Sequence, residues 1–377
     1  MPETIYTVGA PGEMDEIIDF INYVFSQAAR PHDFKALLPK VYGDKAPVGQ
    51  ECFHFLAKQA GKIVGCVACR PMHLSYSGQT LKCGYIGSVS VHKYHRGEGH
   101  MKKLMAMAMA DARAKGCDML ILGGQRQRYG YFGFEPAGMA LRFRFTAANA
   151  RHVLSDVDAG GICLRPMQQE DVPFARALRL NQPVFSSVKE ETFLDELRSW
   201  AVTPLCITEN GEAIGYRAGQ ELVLTDEGLL PKVLKALMAH GAENPLPLTA
   251  ALYEKERIAY LGSVCESVNL GETALINVFN WPRVLKTFIE FKHRCVSSVS
   301  DCVFSLFIDG DGAFEGTVDH GKANVKTLES APASALRLHH NEAQRLFFGI
   351  ADMFVGRKGI EPSCLGLPFY MSEQDAF

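Results

Sequence analysis

The residues best suited to chemistry fall in one short stretch, Arg96-Gly97-Glu98-Gly99-His100-Met101. Tyr85–Val91 before it reads as a strand, and Met101–Ala114 after it as a helix. A helix N-terminus offers unpaired amide hydrogens and a partial positive charge, and glycines let a phosphate reach those amides without meeting a Cβ. Lys93, Arg96, Lys102 and Lys103 outnumber Glu98 here, a balance that also suits an anion. Taken alone, Gly-x-Gly reads equally well as a flexible turn capping an amphipathic helix.

Rival chemistries fit less well. Lys102 stands where a dinucleotide fingerprint needs its third glycine, and no Gly-Lys-Ser/Thr follows for a P-loop, so neither NAD nor ATP is favoured. His92, His95 and His100 span a strand, a loop and a helix start without a supporting carboxylate or cysteine pair, and no metal is expected. Cys66 and Cys69 lie in a strand-like apolar run with no second ligand pair, which makes them structural. Asp309-Gly310-Asp311-Gly312 continues into Ala313 and Phe314, where a calcium loop needs a ligand and a glycine, so it reads as a hairpin.

The elements that position the turn read as mixed α/β. Ile5–Val8, Met14–Phe25, Phe34–Val41, Glu51–Lys58 and Lys62–Ser75 run strand, helix, helix, strand, strand, with a glycine hairpin at Gly61. The order recurs: Ile162–Asp171 reads as a strand entering a helix, Gly211 repeats the hairpin glycine, and strand-like Glu221–Thr225 precedes helical Leu229–His240. This second copy has no glycine-rich turn. Beyond Trp281, Val303–Ile308 and Ala313–Val318 suggest a further α+β unit starting near residue 285.

The chain of 377 residues suits two or three domains, and its net charge of −3 gives no reason to expect nucleic acid or a membrane surface. Eleven scattered cysteines, an odd number, indicate reduced thiols. The start lacks a secretory pattern and no apolar run approaches a membrane span, so a cytoplasmic protein is expected.

The turn resembles the Arg-x-x-Gly-x-Gly/Ala motif of the GNAT (GCN5-related N-acetyltransferase) superfamily, with Met101 departing from the usual small residue. Arg128-Tyr129-Gly130-Tyr131-Phe132-Gly133-Phe134 after strand Met119–Leu122 looks like the Tyr-Gly-x-Phe-Gly-Tyr/Phe segment of the Eis-like (enhanced intracellular survival) subfamily, and the chain ends in an aromatic residue, as those proteins do. The resemblance implies a catalytic GNAT domain at residues 1–150, a degenerate second GNAT region at 151–285 and a sterol-carrier-protein-like α+β domain at 286–377. It also implies a homo-oligomer, often a hexamer.

The implied activity is N-acetylation of a primary amine by direct attack on acetyl-CoA. In the family, the residue matching Tyr129 is the general acid and the terminal carboxylate, here that of Phe377, enters the active site, where it could act as base. The cofactor would lie along Val89, Val91, Arg96, Gly97, Glu98, Gly99, His100 and Met101, with the Val89 amide facing the developing oxyanion. From pattern alone, Tyr129 reads better as a core aromatic beside Tyr131, Phe132 and Phe134. The alternative function is a non-catalytic acyl-CoA or lipid-binding protein.

Overall fold

The computed structural model describes residues 3–27, 30–44, 52–241 and 243–377. Its strands are β1 (Thr4–Val8), β2 (Phe53–Gln59), β3 (Lys62–Tyr76), β4 (Gln79–Val91), β5 (Met119–Leu122), β6 (Glu135–Ala137) and β7 (Ala140–Phe145) in the first region. Then come β8 (Ile162–Pro166), β9 (Val184–Ser186), β10 (Leu205–Glu209), β11 (Glu212–Ala218), β12 (Glu221–Leu224), β13 (Leu246–Ala251), β14 (Ser267–Gly271) and β15 (Ala274–Val278). The chain finishes with β16 (Cys302–Ile308), β17 (Gly312–Asp319), β18 (Lys322–Leu328) and β19 (Leu336–Leu338).

Long antiparallel strands dominate the first region because two tight turns reverse the chain. Ala60 and Gly61 take φ of 48° and 78°, and Ser77 and Gly78 take 48° and 90°, the left-handed pair a two-residue hairpin requires. The resulting eight-stranded sheet has the order β1-β2-β3-β4-β5-β15-β6, with β9 pairing β3. Helix Met14–Ser26 buries Ile17, Ile18, Ile21 and Val24 on one face of the sheet, the stripe its periodicity dictates. Helix His100–Ala114 buries Leu104, Met105, Ala108 and Ala112 against the other face. Cys66 joins the first of these clusters and Cys69 the second, so the two thiols point to opposite sides of β3 and cannot share a ligand.

The first and second regions exchange strands. β15 lies between β5 and β6, while β7 crosses to pair with both β13 and β14. The second region otherwise repeats the order of the first: β8, helices Val172–Leu180 and Glu190–Arg198, strands β10, β11 and β12, then helix Leu230–His240 and β13. Asn210 and Gly211 form the repeated hairpin turn, with φ of 51° and 91°. Before the second-copy helix, however, the Asp226 carboxylate accepts the Gly228 amide at 2.9 Å and Pro231 removes another donor, so the anion-binding end is already closed.

The third region is a four-stranded sheet, β18-β17-β16-β19, packed with helices Trp281–Phe291 and His340–Phe348. Its Phe304, Phe347 and Phe348 share one apolar cluster with Ile17 and Ile21 of the first region, so the two cores are continuous. Asp311 at the β16–β17 hairpin accepts Trp281 Nε1 at 3.0 Å and bonds His340 Nδ1, which commits it to packing this unit. The expected limits at 150 and 285 fall within helices Ala147–Val153 and Trp281–Phe291. Among the described residues, no helix is long and apolar enough to cross a membrane.

Because β15 separates β5 from β6, a fragment ending at residue 150 lacks a central strand. Such a fragment is expected to bury too little apolar surface for a cooperative fold, read by circular dichroism during heating. A sharp, reversible unfolding transition in the isolated fragment would contradict the strand exchange as a folding requirement.

Candidate active site

The site begins where two parallel strands part. β4 pairs β5 only from Cys83–Met119 to Ile86–Leu122, and Gly87–Val91 continues with β3 alone. Two residues, Ser88 and Val89, oppose Val67 at a bulge in the β3–β4 ladder, and Ser88 takes φ of 48°. The β5-facing edge of Val89–Val91 is therefore free of a strand partner among the described residues.

Beyond this edge the chain turns through Arg96–Gly99 into helix His100–Ala114. Gly97 and Gly99 have φ of 87° and 83°, and Gly99 is the residue at the helix N-cap. A Cβ at either would meet no protein atom within 4 Å, so φ, not crowding, requires glycine, and open space remains above the amides. A cleft of about 630 Å³ occupies that space, in the range of small-molecule sites. Val89, Val91, Arg96, Gly97, Gly99, His100 and Met101 all line it.

Glu98 points away from the cleft lining and braces the turn from behind. Its carboxylate accepts Gln59 Nε2 at 3.0 Å and is bonded to His100 Nε2 at 3.0 Å and His95 Nδ1 at 3.2 Å. His100 Nδ1 in turn bonds the Tyr6 hydroxyl at 2.9 Å. Against the desolvation that opposes charge, these hydrogen bonds hold the Glu98 carboxyl below its ordinary pKa. His95, Glu98 and His100 are also a donor set able to surround a metal ion, since their ligating atoms lie within 4.8 Å of one another. Those atoms are already bonded to one another and to Gln59, so bracing accounts for the arrangement.

Tyr129 and Phe377 both lie near the point where β4 and β5 diverge. The Tyr129 ring lies against Gly124, where a Cβ would come within 2.4 Å of it, and burial raises the hydroxyl pKa while Arg128 partly offsets the rise. Its segment is pinned from the third region: Asn341 Nδ2 donates to Gly130 O at 3.0 Å, and Gln344 Nε2 to Gly133 O at 2.6 Å. Glu135, bonded to Arg126, Asn341 and Arg345, ties the same segment down. The Phe377 ring covers Gly87, where a Cβ would approach within 2.5 Å, and stands between Tyr42 and Tyr85 at centroid distances of 6.2 and 6.4 Å. Tyr85 links the two, its hydroxyl near Gly123 and its ring edge-on to Phe377. Neither Tyr129 nor Phe377 is itself part of the cleft lining.

Sequence reasoning missed Val24 and Phe25, which wall the cleft from helix Met14–Ser26, and the cleft-lining role of Arg128. An arginine immediately before the candidate acid was a usable signal; the helix contribution depends on tertiary packing and left none.

His54 completes the buried surroundings of Phe377. Its Nε2 bonds the Tyr42 hydroxyl at 3.1 Å, and Tyr42 bonds Ser88 Oγ at 2.8 Å. Burial lowers the His54 pKa from the ordinary 6.5 to about 4. Between those values the unfolded chain binds more protons than the folded one, so this stabilisation is complete above pH 6.5 and is lost as pH falls towards 4. The loss amounts to roughly 3 kcal/mol. Denaturant titrations at pH 4.5 and 7 should show a smaller acid loss for His54→Gln than for wild type; equal losses would rule His54 out as the sensitive group.

The chain is similar to known proteins in sequence over one domain and in fold over its length. Residues 8–137 match the family described as "Acetyltransferase (GNAT) domain". No curated protein sequence matches the chain. Among solved structures, a probable N-acyltransferase of Enterococcus faecalis V583 superposes with a TM-score of 0.70 at 15% identity, covering 98% of this chain and 97% of that one. A GCN5-related N-acetyltransferase of Kribbella flavida gives 0.67 at 14% identity, with 100% and 99% covered. Eis1 of Mycobacterium abscessus gives 0.59 at 13%, with 92% and 90% covered. At these identities the likeness is one of fold, and it spans all three regions. Residues 8–137 thus carry a GNAT acetyltransferase domain within a mixed α/β chain of several sheets.

Proposed function

We propose that the chain is an N-acetyltransferase that moves acetyl from acetyl-CoA to a primary amine by direct attack. The observation that carries this reading is the cleft between the parted β4 edge and the turn at Arg96–Met101, which combines free strand groups, helix amides and cationic side chains. Its pyrophosphate would lie on the amides of Gly97–Met101 beside Arg96, and its pantetheine along Val89 and Val91. The three-part division at 150 and 285 and an Eis-like oligomeric assembly, a hexamer included, belong to the same proposal, as does a cytoplasmic setting.

Direct attack needs a neutral amine. A lysine-like group of pKa ~10.4 costs roughly 4.6 kcal/mol to deprotonate at pH 7. The terminal carboxylate of Phe377 can take that proton directly or through water. The amine nitrogen then bonds the thioester carbon, the oxyanion meets the Val89 amide, and the carbon–sulfur bond breaks as the tetrahedral adduct collapses, the nitrogen giving up its second proton through water to restore the Tyr129 hydroxyl. Tyr129 protonates the departing thiolate; its raised pKa keeps it neutral and able to donate.

Incubation with acetyl-CoA and a broad panel of amines, following free thiol, is the direct test. Amine-dependent thiol release is expected, whereas saturable binding without release would favour an acyl-CoA or lipid carrier. Tyr129→Phe should lower kcat by roughly 10²–10⁴ while leaving acetyl-CoA binding nearly intact; an unchanged kcat would exclude it as the acid. Residues appended after Phe377 should abolish turnover without unfolding the protein, and full activity in that variant would remove the terminal carboxylate from the mechanism.

A further inference from the structure

The last residues of the chain are anchored by more than apolar packing. Asp375 is 1% exposed and 196 residues in sequence from Arg179, whose Nη2 donates to its Oδ1 at 2.7 Å. Ser186 Oγ donates to the same oxygen. Among the described residues, the Nε and Nη1 of this buried guanidinium have no hydrogen-bond partner, and Glu221 stands 3.9 Å away.

The residues on either side are held as well. The ammonium of Lys40, itself buried, donates to the Gln374 carbonyl and lies 3.7 Å from Glu196. Glu196 is bound by Arg70 through both guanidinium nitrogens, at 3.0 and 2.9 Å. Trp200 Nε1 reaches the Ala376 carbonyl at 3.4 Å. To do so the chain holds Trp200 and Ala201 at φ of 63° and 60°, a left-handed conformation that non-glycine residues adopt at a cost. Further upstream, the Tyr76 hydroxyl donates to the Tyr370 carbonyl at 2.8 Å.

Two features distinguish this cluster from ordinary core packing. It brings Lys40 of helix Pro39–Tyr42 and Arg179 of helix Val172–Leu180 onto Gln374 and Asp375, and Trp200 onto Ala376, while Arg70 of β3 joins through Glu196, around a segment with no regular strand partner among the described residues. It also ends one residue before the group proposed as base. A charge anchor is directional where apolar contact is not, so it fixes rotation and register of the final peptide units.

We infer that Asp375 is a positioning residue, which through its ion pair with Arg179 and with the help of Trp200 fixes the terminal carboxylate of Phe377 against the parted β4 edge. The inference rests on the acyl-transfer reading for its catalytic consequence and on the contacts above for the anchoring itself.

Carboxypeptidase A and an activity assay separate those two layers. In the folded wild-type chain the seated tail should release phenylalanine slowly. Asp375→Asn should release it at least about tenfold faster, because a buried guanidinium has lost its ionic partner. Trp200→Phe, at a partly exposed position where folding is not at stake, should show a smaller increase in the same direction. In turnover, Asp375→Asn should lower kcat by roughly 10–100-fold, as displacement of a reacting group by about an ångström does. KM for acetyl-CoA, measured well below a melting temperature that loss of the buried ion pair lowers, should move little, whereas a purely structural role would shift kcat and KM together.

Unchanged phenylalanine release in both variants overturns the anchor. Faster release with unchanged kcat overturns the positioning role. If wild type itself turns over no amine, the acyl-transfer reading falls and the proteolysis alone decides whether Asp375 holds the tail.

Discussion

Everything in this molecule that bears on chemistry follows from the separation of two parallel strands. Pairing of β4 with β5 stops at Ile86 and Leu122, and a bulge at Ser88–Val89 turns the remainder of β4 towards the glycine turn. A strand edge with unpaired polar groups is costly unless something bonds to it. The acetyl-CoA proposed for the cleft would meet that need, with strand groups along its length and helix amides at its charged end. The helix His100–Ala114 is oriented for this by its packing on β2 and β3 and by the Glu98 brace that ties the turn to Tyr6, Gln59 and two histidines.

The other two regions maintain this opening. β15 supplies the strand that carries the sheet past β5 to β6, so the second region completes the platform while its own copy of the turn is capped by Asp226. The third region grips the segment of Tyr129 through Asn341, Gln344 and Arg345, and its trailing chain brings Phe377 onto Gly87. Candidate acid and candidate base thus come from distant parts of the sequence to neighbouring glycines of β4 and the end of β5, and polar contacts hold the segments that carry them.

The locally encoded parts were legible in the sequence. Gly97, Gly99, Gly61 and Gly211 sit where φ is positive, and a glycine before an apolar periodic run marks a turn or helix start without knowledge of the rest. The repeated order of elements was legible for the same reason. What escaped was set by distant partners: Glu98 looked discordant beside a phosphate until Gln59 and His100 accounted for it, and nothing in Leu275–Val278 announces an insertion between β5 and β6. The course of the tail was equally hidden, since Asp375 acquires its meaning only from Arg179 and Ser186.

The most direct measurement is a structure of the chain with CoA or acetyl-CoA bound. The account predicts the pyrophosphate on the amides of Gly97–Met101, the pantetheine alongside Val89–Val91, and the sulfur within hydrogen-bond reach of the Tyr129 hydroxyl with the Phe377 carboxylate facing it. Cofactor bound elsewhere, or a sulfur that neither Tyr129 nor Phe377 approaches, would contradict it.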